Sequence, residues 1–358
     1  MMWPGRRTSA ALSAGLGIGL SSAAVAQSSV TLYGIVDNGL TWLSNGGGHA
    51  KLFMDSGVMQ GNRLGLRGAE DLGGGRRALF NLESGFQLRD GSLGQGGRIF
   101  GRVAYVGLAL PRWGTATLGR QYDFMYEVLG AYYTPTWSAG GYANNPLDND
   151  RLSGRRVDQA VKVQTPDVAG FKAGLLYGFA IHKDEASGKG RTYSVGGSYS
   201  RQAFSAGLAY TDSRGETLDI APLVGAPAPL RAGGDRMRTW GAGASYALKH
   251  VTVYGLYTQA RYVGATRASF RNLQTGVSYR ATSAQRYGLG YGLTMLDAKR
   301  YHQFNLTFDY VLSKRTDLYL QLITMRAGGH GATAAVISMP GASGSNQALL
   351  RVGLRHTF

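Results

Sequence analysis

The chain reads as an all-β protein, a sixteen-stranded antiparallel β-barrel placed in a membrane. Three observations predict this. Side chains alternate apolar and polar with period two almost everywhere. The connections between alternating segments are short and long in turn. The last segment alternates to its end and closes on an aromatic residue, Phe358.

The N-terminus has the form of an export signal. Arg6 and Arg7 supply its positive start, 10–20 its apolar stretch, and Ala24-Val25-Ala26 a small-residue cleavage site. The mature chain is expected to begin at Gln27, so residues 1–26 are signal and 27–358 barrel. An anchor helix is disfavoured, because the apolar run is too short to span. Removing 26 of the 358 residues leaves 332, and the +17 charge falls to +15 with the two arginines.

Such a basic chain suggests nucleic acid as a partner, but an exported protein rarely meets it. A basic channel or an anionic lipid surface fits better. With no cysteine, stability has to come from a source other than disulfides. A closed barrel supplies one, since every backbone N–H and C=O is paired around the ring. After the leader no run of eighteen apolar residues occurs, which excludes membrane helices. Fifty-five glycines with nine prolines, and 21 tyrosines, match a barrel with small residues within and aromatic girdles without.

The segments follow in order. Sixteen strands are expected near 30–42, 61–70, 77–88, 98–110, 115–122, 155–165, 171–182, 191–201, 203–212, 237–247, 251–262, 271–281, 285–295, 301–312, 316–326 and 347–358. In 304–310, Phe304, Leu306, Phe308 and Tyr310 oppose Asn305, Thr307 and Asp309. The polar sets are too small to fill a core, as expected where they border a water-filled lumen while the apolar sets meet lipid. Tight turns occur near 72–75, 111–114, 201–202, 249–250 and 313–315. Long loops are read at about 43–60, 123–154, 213–236 and 327–345. An even count returns the last strand beside the first, and sixteen strands leave an aqueous channel.

Several stretches resemble the general bacterial porins, in particular the β-proteobacterial type. They are Val30-Thr31-Leu32-Tyr33-Gly34, the run from Gly61 to Gly75 (GNRLGLRGAEDLGGG), Gly101-Arg102-Val103-Ala104-Tyr105-Val106-Gly107-Leu108, and Gly119-Arg120-Gln121-Tyr122 followed by Tyr126-Glu127-Val128-Leu129-Gly130. The ending at Phe358 matches as well. The resemblance implies homotrimers with one pore per subunit, and a third external loop, here about 123–154, folded into the pore as a constriction. It implies stacked arginines on the opposite wall, at Arg63, Arg102 and Arg156, and it makes Phe358 the mark read by the barrel assembly machinery. Enteric members carry an acid soon after the loop's proline. Here Pro135-Thr136-Trp137-Ser138-Ala139-Gly140-Gly141 has none, which weighs against cation preference.

Alternation gives the same wall positions. With Leu64 and Leu66 outward, Arg63 and Arg67 face the lumen. With Val103 and Tyr105 outward, Arg102 faces in. With Val157, Val161 and Val163 outward, Arg156, Asp158 and Lys162 face in. A charge on the lipid face near mid-membrane would cost about 2–4 kcal/mol. The bland alternative is that these arginines only neutralise loop carboxylates. Lumen charge bears directly on ion choice, so selectivity is the stronger reading. The expected counter-charges on the loop are Asp123 and Glu127, with Glu127 pore-facing. Asp148 and Asp150 flank Asn149 beside Pro146 and suit a turn.

The expected function is passive diffusion of small hydrophilic solutes and ions across the outer membrane, with anion preference; the alternative is a substrate-specific channel, with Tyr254 and Tyr319 as its two candidate inward aromatics. The six histidines are scattered, and no catalytic or metal-binding motif appears. No enzyme activity, cofactor or metal is therefore expected. The expected partners are two further copies, outer-membrane lipid and lipopolysaccharide, the assembly machinery, and small anions and hydrophilic solutes, with no nucleic acid.

Overall fold

The structure, a computed structural model, describes residues 29–136, 140–180 and 188–358. The leader with its cleavage site, Trp137, and the end of the 171–182 segment with His182 lie outside the described residues. The strands in chain order are β1 (Ser29–Leu43), β2 (Lys51–Ser56), β3 (Arg63–Asp71), β4 (Arg77–Gly85), β5 (Val103–Leu110), β6 (Gly114–Tyr122), β7 (Arg156–Gln164), β8 (Phe171–Gly178), β9 (Thr192–Arg201) and β10 (Phe204–Arg214). They continue as β11 (Thr217–Asp219), β12 (Arg231–Gly233), β13 (Arg236–Ala247), β14 (Val251–Val263), β15 (Ala268–Arg280), β16 (Gln285–Leu296), β17 (Lys299–Val311), β18 (Thr316–Gly328) and β19 (Asn346–Thr357).

All pairings are antiparallel, and β1 returns to β19, with Val36 opposite His356 and Leu43 opposite Leu349. The ring has sixteen staves. β11 and β12 form a separate ribbon in an external loop, and β2 and β3 share one stave, both pairing with β1. The expected loop 43–60 is corrected here, since 51–56 is wall. Leu52 and Met54 supply a short alternating outward face, too brief to stand out between glycine-rich neighbours.

That shared stave has an inward excursion. Ile35 on β1 pairs with Arg63 and Asn38 pairs with Ser56, so six residues, 57–62, stand opposite two. It is an enlarged bulge, which breaks the ladder and re-aims the chain. Asp37 holds it. The Asp37 backbone N–H donates to Asn62 Oδ1 at 2.6 Å, its carboxylate accepts from the Gln60 N–H at 2.8 Å, and its carbonyl accepts from Gly57, whose φ is +73°. Tyr319 and Arg351, both buried, complete the shell around the Asp37 carboxylate.

The alternation faces lipid and lumen as read. On β18, Leu318, Leu320 and Leu322 are about two-fifths exposed, while Tyr319, Gln321 and Ile323 are buried. Two strands invert the expected order. On β5, Val106 and Leu108 are outward, so Val103 and Tyr105 face the lumen. On β7, Asp158 and Gln159 together oppose the single residue Arg120, with Gln159 at φ +47°. This bulge resets the alternation: Val157 points inward opposite Gln121, and Asp158 pairs on the other side with Arg98 and Arg120.

Candidate functional site

The segment between β6 and β7 enters the barrel. Asp123 caps the short helix Phe124–Leu129, its carboxylate accepting from the Tyr126 N–H. Phe124, Met125, Leu129, Tyr132 and Leu152 then pack on inward wall residues such as Leu176, Ala209 and Leu256. Wall glycines make the room. A Cβ at Gly174 or Gly196 would lie 2.3 or 2.6 Å from Phe124, and one at Gly243 would lie 2.7 Å from Tyr132. Small lumenal residues are thus the seat of the loop.

Its second half is tied by polar contacts to β14–β17. Thr258 Oγ1 donates to Asp150 at 2.6 Å, Gln274 Nε2 to Asn145 at 2.9 Å, Asn272 Nδ2 to Asn149 at 2.7 Å, and Gln303 Nε2 to the Tyr142 carbonyl at 3.2 Å. Arg151 is fully buried and bridges Asp123 at 2.6 Å and Glu216 of the external loop after β10 at 2.9 Å. Burial alone would pull the Arg151 guanidinium down, but these two carboxylates outweigh it and hold it above its ordinary value. Burial raises the Asp148 carboxyl against the opposing pull of Arg155, and raises Asp150 to about 6.

The three wall arginines come together. Arg102 and Arg156 both donate to the Tyr122 hydroxyl, at 3.0 and 2.8 Å. Gly61 separates Arg102 from Arg63; its absent Cβ would lie 3.0 Å from Arg102 Nη1 and 4.0 Å from Arg63 Nη2. Glu83 accepts from Arg102 Nε at 2.6 Å and from the Tyr33 hydroxyl at 2.9 Å, so its carboxylate is paired with one of the three guanidinium groups. Arg63 donates to the Gly61 carbonyl at 3.0 Å and has no carboxylate partner among the described residues. Arg102 reaches this cluster because it precedes β5 and turns over Gly85, not by the alternation first applied to it. Arg156 likewise sits at the end of β7, its guanidinium 4.6 Å from the Tyr122 ring centre.

Other expected residues are placed differently. Arg67 lies nearer the tight-turn end of β3, stacked 5.2 Å from the Tyr33 ring centre. Lys162 is buried and paired with Glu127, and it donates to the Tyr122 carbonyl at 3.1 Å. Glu127 stays exposed on the inserted loop, as expected of a pore-facing acid, and its pairing with Lys162 also fastens the loop to the wall; burial raises its carboxyl and Lys162 opposes the rise. Asp123 has no exposure and is spent on the helix cap and Arg151, so it is structural. Asp148 and Asp150 are buried loop anchors. Phe358 joins its backbone to Gly34 through two hydrogen bonds of 3.0 and 3.1 Å. Tyr254 and Tyr319 do point inward, and both are buried.

Two chambers follow one another along the lumen. The larger, about 780 Å³, is lined by Arg63, Arg89 and Arg102 with Asp55. The smaller, about 480 Å³, lies toward the tight turns and is lined by Lys249, Arg280 and Arg286 with Asp309. Met59, Pro135, Thr136 and Arg355 line both and so frame the neck among the described residues. Arg355 was missed in the sequence reading, although the alternation of the last strand had put it on the polar face. It pairs with Asp317 and donates to Gln60 at 3.2 Å.

A waisted aqueous passage through a closed sixteen-stave barrel is what a diffusion channel requires. The sequence profile described as "Gram-negative porin" matches residues 8–330. The chain belongs to this family. This porin is 30% identical to outer membrane porin protein 32 of Delftia acidovorans, over 94% of the chain and 96% of that protein. It is 29% identical to an outer membrane porin protein of Bordetella pertussis, over 97% and 99% respectively. Its fold is similar to that of an anion-selective porin from Comamonas acidovorans, with TM-score 0.79, 26% identity, and coverage of 93% of this chain and 100% of that one. OmpT of Vibrio cholerae in a trimer form shares the fold at TM-score 0.66 and 13% identity, over 92% and 99% of the two chains. The protein is an outer-membrane porin of β-proteobacterial type, a passive channel for small hydrophilic solutes and ions.

Proposed function

We propose that this porin prefers anions. The observation that carries the reading is the charge of the two chambers, whose described lining holds Arg63, Arg89, Arg102, Arg280, Arg286, Arg355 and Lys249 against Asp55 and Asp309. Rings of one sign in a low-dielectric channel raise the local concentration of the opposite ion. Arg63 contributes directly, since no carboxylate forms an ion pair with it among the described residues and Glu83 acts on it only at a distance, whereas Glu83 is paired with Arg102. The relative from Comamonas acidovorans, described as anion-selective, supports the same direction. The test is the zero-current potential across a planar bilayer under a potassium chloride gradient. Chloride-dominated permeation is expected, and a potassium-dominated potential would sink the reading.

We further propose a homotrimer. The strands β3–β8 have eight or nine residues and β13–β19 twelve or thirteen. A spanning strand needs about 9–11, so the low side has no spare height. Its outer face is apolar, with Leu64, Leu66, Val106, Leu108 and Leu118 exposed. Covering that side with another copy removes the shortfall. Cross-linking in native membranes tests this, with a three-copy species expected and a monomer alone contradicting it. Residues 1–26 are proposed as the export leader, and Phe358 as the signal for assembly. Sequencing the N-terminus of the mature protein, and assembly of a Phe358→Ala variant, test these two.

A further inference from the structure

We propose that the bore of the neck is set from the wall by the excursion 57–62, with Met59 as its size-determining side chain. A smooth stave would put two residues where this chain puts six. The extra length can only leave the wall plane, and the contacts show it goes inward. Met59 lines both chambers together with Pro135 and Thr136 of the inserted loop. Its thioether accepts from Gln321 Nε2 at 3.6 Å, so the side chain lies across the β18 wall.

The excursion is braced on both sides. Asp37, Asn62 and Gln60 fix its base as described, and the Asp55 carbonyl accepts from Arg351 Nη2 at 3.0 Å. At its tip the Val58 carbonyl accepts from the Gly141 N–H at 2.5 Å. This approach needs glycine on the loop side: Gly140 has φ +57°, and a Cβ there would lie 2.5 Å from the Val58 oxygen. The two elements framing the neck are therefore bonded to each other, and a buried shell holds the wall element. Met59 is uncharged and outside the strand ladder, so its volume acts on bore with no direct effect on charge. The proposal holds whichever ion the porin prefers.

The natural chain has no cysteine, so one introduced thiol reports alone. Met59→Cys is assembled and its single-channel current followed while methanethiosulfonate reagents of increasing size are added to either side. Stepwise loss of current with reagent size, from both sides, is expected; failure to react, or reaction with unchanged current, overturns the proposal. In parallel, Met59→Ala is expected to raise conductance and speed entry of larger neutral sugars into liposomes, with the anion-to-cation ratio unchanged. Unchanged sugar entry removes the size role. A shifted ion ratio also removes it, because it shows the excursion acting through Arg355 and Gln60. Should Met59→Ala fail to assemble, the thiol series decides alone.

Discussion

Arg151 and Asp123 face each other at 2.6 Å with almost no exposure of either, and the same guanidinium reaches Glu216 in a different external loop. One side chain thus couples the start of the inserted loop, its end, and the loop after β10. Removing one partner of a buried pair costs about 3–5 kcal/mol, because the other charge is left unpaired. Arg151→Met is expected to leave the barrel closed and to loosen the inserted loop. Faster proteolysis within 123–154 and noisier single-channel currents are the readouts. Wild-type behaviour in both would show that the bridge holds nothing.

Asp150 gives the loop a pH dependence. Its folded value, about 6, lies above its ordinary 3.8, chiefly through burial. The fold therefore disfavours the anion: burial outweighs the Thr258 hydrogen bond, which favours the charged form, so the seating of Asp150 is most stable at low pH. Stability falls as pH rises from 3.8 through about 6. The loss approaches about 3 kcal/mol above that range. Asp150→Asn should reduce the trend, leaving the smaller part that the buried Asp148 supplies. Protection of the 145–152 amides, taken relative to the intrinsic exchange rate at each pH, is expected to fall between about pH 5 and about pH 7 in the natural protein and to fall less in the variant.

The arginine cluster separates into a directly paired and an unpaired part. Arg63→Gln removes a charge that has no ion-pair partner among the described residues and should shift the zero-current potential toward cation permeation. The double change Arg102→Gln with Glu83→Gln removes a pair of opposite charges and should move it much less. Equal shifts for the two variants would contradict the assignment.

Closure of the ring depends on a close approach at Gly34. A Cβ there would lie 2.3 Å from the Phe358 ring and 2.8 Å from the Arg63 carbonyl. Overpacking of this kind costs about 1–3 kcal/mol. Gly34→Val should lower the temperature at which the folded band is lost in heat-modifiability gels. An unchanged transition would mean the seam has slack.

The barrel was legible because lipid and lumen impose opposite demands on successive residues, and segments such as 304–310 carry them without interruption. Legibility failed where the backbone leaves strict pleating. The bulge at Asp158 and Gln159 inverted the reading of Val157, and the six-against-two stretch at 57–62 hid β2 inside an apparent loop. Lys162, Glu127 and Asp123 were singled out, but their pairings join residues far apart in sequence, which no local pattern encodes. Arg151 gave no signal at all, since a lone loop arginine carries no mark of burial.

The aperture is made of two inserts, while the ring is closed by the β1–β19 ladder, which the wall insert touches at Asp37 and, through Gln60, at Arg355. Substitution within either insert can retune what passes without rewriting how the cylinder assembles, so permeability and foldability are separable traits in this chain.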